Sequence, residues 1–236
     1  MKFTPVQTNI LKNFATINPS QFIYKDKFLT SNIESSVVAK FDTSVDFGEF
    51  DKIGIYDLPQ FINILSTFGE DYDIVVKDNM LEIKSGNNKV NYILSNNILQ
   101  ERELDLSKLD SIFSIESDLS FEFTQDKIAI INRILSVMSD LKKVYIIYNH
   151  KSNTLHLSVE VEKEISMNSY VQELKDFKCK SKEDKKIMIT KDDFILLMKD
   201  KDYKVSVSFG DKYAKVNLKS DSLAYVMAAK YAENEY

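Results

Sequence analysis

The sequence is poor in the residues that build reactive or cross-linked sites: one cysteine, two histidines and five glycines in 236 residues. The lone Cys179 excludes an intramolecular disulfide and a zinc site made of cysteines alone, which suits a reducing compartment or indifference to redox. Gly48, Gly54, Gly69, Gly86 and Gly210 stand apart from one another, so no Walker loop or dinucleotide fingerprint can form around a phosphate. No apolar run approaches the roughly 20 residues needed to cross a bilayer. No basic start followed by an apolar stretch marks the N-terminus as a leader. The expected location is the cytosol.

Acid is missing locally, not globally. The chain has 36 Asp and Glu against 31 Lys and Arg, a formal charge of -5, yet its first carboxylate is Asp26. A uniformly basic nucleic-acid binder is thereby excluded, and any DNA contact has to come from a local basic surface. With 44% hydrophobic and 28% charged residues, the chain can bury a core in one large or two small domains.

Apolar residues at Val6, Ile10, Phe14 and Ile17, flanked by Leu11, predict a helix over 4–17 with Pro5 in its first turn. FIYKDKFLT and SSVVAKF read as strands, the first folded back at Lys25 to Lys27, and Ile53 to Tyr56 as another. A helix over 58–68 follows, capped by Asp57 with Pro59 in its first turn, and then the strands DYDIVV, MLEIKS and KVNYIL. The second half repeats this order. A helix over 127–138 buries Ile128, Ile131, Ile134, Leu135 and Met138. Strands VYIIYNH, TLHLSVEV and NSYVQEL come next, then a charged loop over 175–186 and a short helix over 192–199.

The residues after each short helix are mirrored. Asp71-Tyr72-Asp73-Ile74 returns as Asp202-Tyr203-Lys204-Val205 at an offset of 131 residues. Val90-Asn91-Tyr92-Ile93-Leu94 returns as Leu223-Ala224-Tyr225-Val226-Met227 at an offset of 133. Near-equal offsets with one element order indicate two copies of one module. The expected fold is α+β: two tandem modules, each with helices packed on one face of antiparallel sheet. Residues 1–106, including a connector over 95–106, form the first module and 107–236 the second.

The polar side of the first helix holds Thr8, Asn9, Lys12, Asn13 and Thr16, and that of the second module's helix holds Ala129, Asn132, Arg133 and Ser136. Neither side has a carboxylate, although exposed helices ordinarily mix Glu with Lys at three- and four-residue spacing. Two readings stand. One is chance depletion on two short faces. The other is a surface that approaches phosphates without reading bases, through Lys2, Lys12, Asn13, Lys127, Arg133, Lys142 and Lys143.

Chemistry finds little support. His150, His156 and Cys179 read as surface or packed residues, not as a nucleophile and its base. Glu70, Asp71 and Asp73 recur as Asp200 and Asp202 at the same turn of the second module, a pattern of solvated turns more than of metal ligands. The run KSKEDKK at 180–186 reads as a solvated loop. No catalytic residue, metal or cofactor is expected.

LKNFATIN at 11–18 and IYDLPQFINILS at 55–66 closely resemble the sliding clamps of T-even-type bacteriophages, the processivity factors of their DNA polymerases. Both stretches lie in the first module, and across the second the resemblance is one of element order and length. It implies a homotrimeric ring of six clamp-type modules with helices lining the inside around duplex DNA, a tether with no chemistry of its own. As partners it implies an ATP-driven clamp loader and a replicative DNA polymerase held by its C-terminal peptide. It also implies a promoter-recognition factor and a coactivator of late viral transcription, all in an infected bacterial host cell. Subunits of such rings join edge to edge, which assigns the junction to the strands around Tyr92 and Val171. The peptide pocket is expected under the connector, near Leu104, Leu106, Tyr225 and Met227. The alternative is a clamp-fold interaction scaffold that never encircles DNA.

Overall fold

Thr4 opens helix α1, Pro5–Ile17. Its hydroxyl accepts from the Gln7 N–H at 3.2 Å while its own N–H donates to Gln7 Oε1 at 2.8 Å, so two orphan donors are satisfied reciprocally. Ile10, Leu11, Phe14 and Ile17 form the buried stripe. Each such side chain contributes roughly 1.5–3 kcal/mol of transfer free energy. Asn18 ends the helix, its backbone N–H donating to the Phe14 carbonyl.

The structure is a computed structural model that describes residues 1–99, 104–114, 116–138, 140–161 and 169–232. It falls into two units, Met1–Leu106 and Ser107–Tyr236. In the first, β1 (Gln21–Tyr24), β2 (Lys27–Ser31), β3 (Val37–Asp42) and β4 (Lys52–Ile55) pair antiparallel in the order β3-β2-β1-β4. Helix α2 (Leu58–Thr67) starts at Asp57, whose carboxylate accepts from the Gln60 N–H at 2.8 Å. Strands β5 (Asp73–Lys77), β6 (Met80–Ser85) and β7 (Asn88–Ile93) then form a separate antiparallel sheet. Met1 lies along β5, its carbonyl accepting from the Ile74 N–H at 2.8 Å. A single turn, α3 (Asn96–Leu99), follows β7.

One polar group is buried in that three-stranded sheet. Glu82 on β6 accepts from Lys77 at 3.0 Å and Lys84 at 2.7 Å, and also from Lys89, so three ammonium groups surround one carboxylate. Hydrogen bonds from Lys84, Lys89 and Lys77 hold its pKa well below the usual carboxylate range.

The second unit runs α4 (Leu109–Phe113), β8 (Leu119–Phe123), α5 (Gln125–Val137), β9 (Leu141–Asn149), β10 (Thr154–Val161) and β11 (Tyr170–Leu174). It continues with β12 (Phe177–Cys179), β13 (Lys185–Thr190), α6 (Lys191–Phe194), β14 (Tyr203–Phe209), β15 (Tyr213–Ser220) and β16 (Leu223–Tyr231). The strands pair in the order β11-β10-β9-β13-β16-β15-β14-β8-β12. The charged loop expected over 175–186 is therefore only partly loop. Phe177 packs its ring 6.0 Å from that of Tyr148, and β12 pairs with β8. The helix expected over 192–199 is one turn, because Ile195 to Leu197 leave the helical path and Phe194, Leu197 and Met198 are buried.

Position by position the two units correspond. β3-β2-β1-β4 matches β11-β10-β9-β13, and β7-β6-β5 with Met1 beside it matches β16-β15-β14-β8. Helices α1 and α5, 13 residues each, follow Met1–Thr4 and β8 respectively. Tyr72 and Tyr203 stand at the start of β5 and β14, Tyr92 and Tyr225 within β7 and β16, and all four are buried.

Candidate nucleic-acid interface

The outward side of α1 presents Val6, Asn9, Lys12 and Thr16, with Thr8 and Asn13 half-buried beside them. No acid lies in its first turn. Helix α2 presents Gln60, Asn63, Ser66 and Thr67, a side with no ionised group of either sign. In the second unit α5 presents Ala129, Ile130, Arg133 and Ser136, with Lys127 half-buried. Asn132, expected on that polar side, is buried and donates to the Ile128 carbonyl at 3.0 Å. The acid-free expectation also needs correction there: α5 begins two residues before the predicted start and carries exposed Asp126 in its first turn.

Two grooves stand at equivalent places. The first, about 660 Å³, runs beside the start of α1 between Lys2, Thr8, Lys12, Ser66, Glu70 and Tyr72. The Lys2 ammonium lies over the Tyr72 ring, 5.8 Å from its centroid. Burial raises the pKa of the Tyr72 phenol. The second, about 680 Å³, runs beside the start of α5 between Glu122, Gln125, Asp200, Lys201, Asp202 and Asp221. Here Asp202 accepts from the Gln125 N–H at 2.7 Å, supplying the cap that Thr124 does not. That acidic turn, read from sequence as merely solvated, thus holds a helix terminus.

Lys142 and Lys143 separate. Lys143 pairs in register with Glu160 and with Thr190, and alternation puts it with Tyr145 on the polar face of the sheet. Val144 and Ile146 occupy the other face with Leu157 and Val159. Lys143 therefore points away from the core on which the helices pack, which removes it from the DNA-facing set; Lys142 is exposed near the end of α5.

No protein-family model matches the sequence, and none of the curated proteins matches it. Solved structures do match. Proliferating cellular nuclear antigen from Entamoeba histolytica superimposes with a TM-score of 0.64 at 12% identity, over 95% of this chain and 94% of that one. The A. fulgidus PCNA bound to the C-terminal region of FEN-1 gives 0.66 at 11% identity, over 97% and 96%. The Helicobacter pylori beta clamp bound to a DNA ligase peptide gives 0.64 at 15% identity, over 97% of this chain but 65% of that one. The fold is that of the sliding clamps.

Within this clamp fold, β7 and β11 each end a sheet among the described residues, as do β4 and β12, while Met1 lies along β5 at the other end of its sheet. Val171 on β11 is 59% exposed and points outward, whereas Tyr92 on β7 is buried, its ring 5.3 Å from Phe61 and its hydroxyl donating to the Asp57 carbonyl. The expected peptide pocket is corrected. Tyr225 and Met227 are 0% exposed in the core of the second unit and offer no surface to a peptide. Leu104 instead roofs, with Leu99, a cavity of about 40 Å³ over Gln21 and Thr30, whose side-chain amide and hydroxyl find no partner among the described residues. That space suits water, not an apolar side chain. Leu106 is exposed. Sequence reasoning missed the α2 side and the Asp202 cap. Asp202 does lie in the mirrored Asp-Tyr pair, the signal from which the cap was readable.

His150 takes the Asp184 carboxylate on its backbone N–H at 2.7 Å, at the turn between β9 and β10. Cys179 lies on β12, and its sulfur is a neighbour of the Tyr148 phenol. Among the described residues no group of three His, Cys, Asp or Glu is placed to hold a metal.

Proposed function

We propose that the protein is a DNA sliding clamp, a processivity factor that assembles as a homotrimeric ring around duplex DNA and tethers a replicative DNA polymerase. The observation that carries this reading is the clamp fold repeated in two units, with the edges of β7 and β11 left unpaired among the described residues. An unpaired edge invites aggregation, and closing a ring satisfies it. Subunits join where the β7 strand around Tyr92 meets the β11 strand around Val171 of a neighbour.

The helices line the ring's inside. Sparse cations there, Lys2, Lys12, Lys127, Arg133 and Lys142, hold the duplex by its phosphates without regard to sequence, so the clamp slides while topology prevents its loss. Three chains at -5 carry -15, a bias that keeps DNA off the outside. Partner peptides are supported by the A. fulgidus and Helicobacter pylori clamps, solved with a FEN-1 C-terminal region and a DNA ligase peptide. An ATP-driven loader, a bacteriophage origin and a part in late viral transcription follow from the sequence resemblance.

Light scattering over a range of concentrations tests the ring. A species near three times the 27.3 kDa chain, even one that dissociates on dilution, supports it and calls for loader-dependent retention on circular DNA. A monomer at every concentration overturns the mechanism and returns the scaffold reading.

A further inference from the structure

The two equivalent grooves beside α1 and α5 have the same position, nearly the same volume and opposite character. The first is lined by Lys2 and Lys12 against the single carboxylate of Glu70. Neither lysine forms an ion pair among the described residues, and the Tyr72 ring holds the Lys2 ammonium at the rim. Thr8 and Asn9 add a hydroxyl and an amide, while Phe3, Pro5 and Leu65 supply apolar walls. The second groove is lined by Glu122, Asp200, Asp202 and Asp221 against Lys201, Lys204 and Lys219. Its helix terminus is already occupied by the Asp202 carboxylate.

We propose that the groove of the first unit is a seat for one backbone phosphate of the encircled duplex, and that the groove of the second unit rejects phosphate. The inference rests on the reading that the helices face DNA. Two ammonium groups converging on a partly walled groove attract a phosphodiester oxygen more strongly than the same charges do on an open surface. Hydroxyl and amide donors at the rim complete its hydrogen bonds without touching a base. In the second unit a phosphate would replace water next to four carboxylates and compete with Asp202 for a donor it already holds. The consequence is a ring with one groove seat per subunit, on alternate modules, while the second unit meets phosphates only on the open surface of Lys127, Arg133 and Lys142.

The test places a benzophenone on Asn9→Cys or Gln125→Cys, each in a Cys179→Ser chain, and irradiates the protein with a short duplex. The proposal expects crosslinking from Asn9→Cys and background from Gln125→Cys. Equal crosslinking from both overturns the asymmetry and leaves the clamp standing. Crosslinking from neither, in protein still retained on circular DNA, overturns the seat alone; crosslinking from neither with no retention overturns the clamp reading as well. A Lys2→Ala, Lys12→Ala pair should also lower the slope of log affinity against log salt by about one phosphate contact per subunit. An unchanged slope overturns the seat.

Discussion

Tyr203 and Tyr225 meet edge to face, ring centroids 5.9 Å apart and planes at 76°, from the two strands that flank β15. The Tyr203 hydroxyl donates to the Met198 carbonyl at 3.0 Å, at the turn that ends the short helical segment. The mirrored Asp-Tyr and the mirrored Tyr therefore converge on one buried contact in the second unit, joining α6 to the sheet. Burial raises both phenol pKa values far above the ordinary range.

Tyr203→Phe should cost about 1 kcal/mol in urea unfolding, the net worth of one neutral hydrogen bond, because Tyr225 still reaches the Met198 carbonyl. The wild type should lose stability above about pH 10, where unfolded phenols ionise. The sign follows from linkage: folded values raised above the unfolded one leave the contribution intact below pH 10 and remove it as pH climbs toward the folded values. A Tyr203→Phe, Tyr225→Phe chain should show a flatter alkaline limb; an unchanged limb would assign that loss to other tyrosines.

Glu82→Gln should lower the melting temperature at neutral pH, since three lysines then face no carboxylate. The native pKa is depressed, so the stabilisation is present above the unfolded value near 4.3 and is lost as pH falls through the native one. Melting curves of the wild type and Glu82→Gln should therefore converge on acidification. Parallel curves down to pH 2 would refute the role given to this cluster.

Val171→Pro removes an edge-strand N–H and should reduce the assembled mass while the far-UV circular dichroism is kept. An assembly of unchanged mass would reject β11 as a subunit junction.

Gly54→Ala should destabilise the first unit by about 1–3 kcal/mol, as overpacking of a filled site does. The added Cβ would stand 2.8 Å from Asn96 Oδ1 and 3.1 Å from the Asn96 backbone, and backbone cannot swing aside as a flexible side chain can. Urea titration gives the value directly; a change below 0.5 kcal/mol would mean that α3 yields.

Helix α1 was legible because two local signals agree, a proline in the first turn and a stripe at 3.6-residue spacing; the capping box of Thr4 and Gln7 went unread. The exposed side of α5 was less so. Asn132 satisfies itself on its own helix, and an asparagine at a polar wheel position gives no sign of that. Burial on both faces hid β16, whose Leu223 to Met227 are all covered, so alternation says nothing about which residue points outward. That is why Tyr225 and Met227 were expected at a surface they do not reach. β12 went unseen because three residues with one aromatic carry no period.

Where the second unit carries β13 directly into β16, the first has no ladder between β4 and β7 among the described residues. Two hydrogen bonds stand in: Ser95 N–H to the Gly54 carbonyl at 3.0 Å, and Gly54 N–H to Asn96 Oδ1 at 2.6 Å. A fluctuation that breaks these two and lifts the buried Leu99 releases the chain after β7 without opening either sheet. Deuterium should therefore enter the Ser95 and Gly54 amides well before those of the strands they connect. A seam of this kind lets the first module flex locally at a fraction of its global unfolding cost, a freedom its twin lacks.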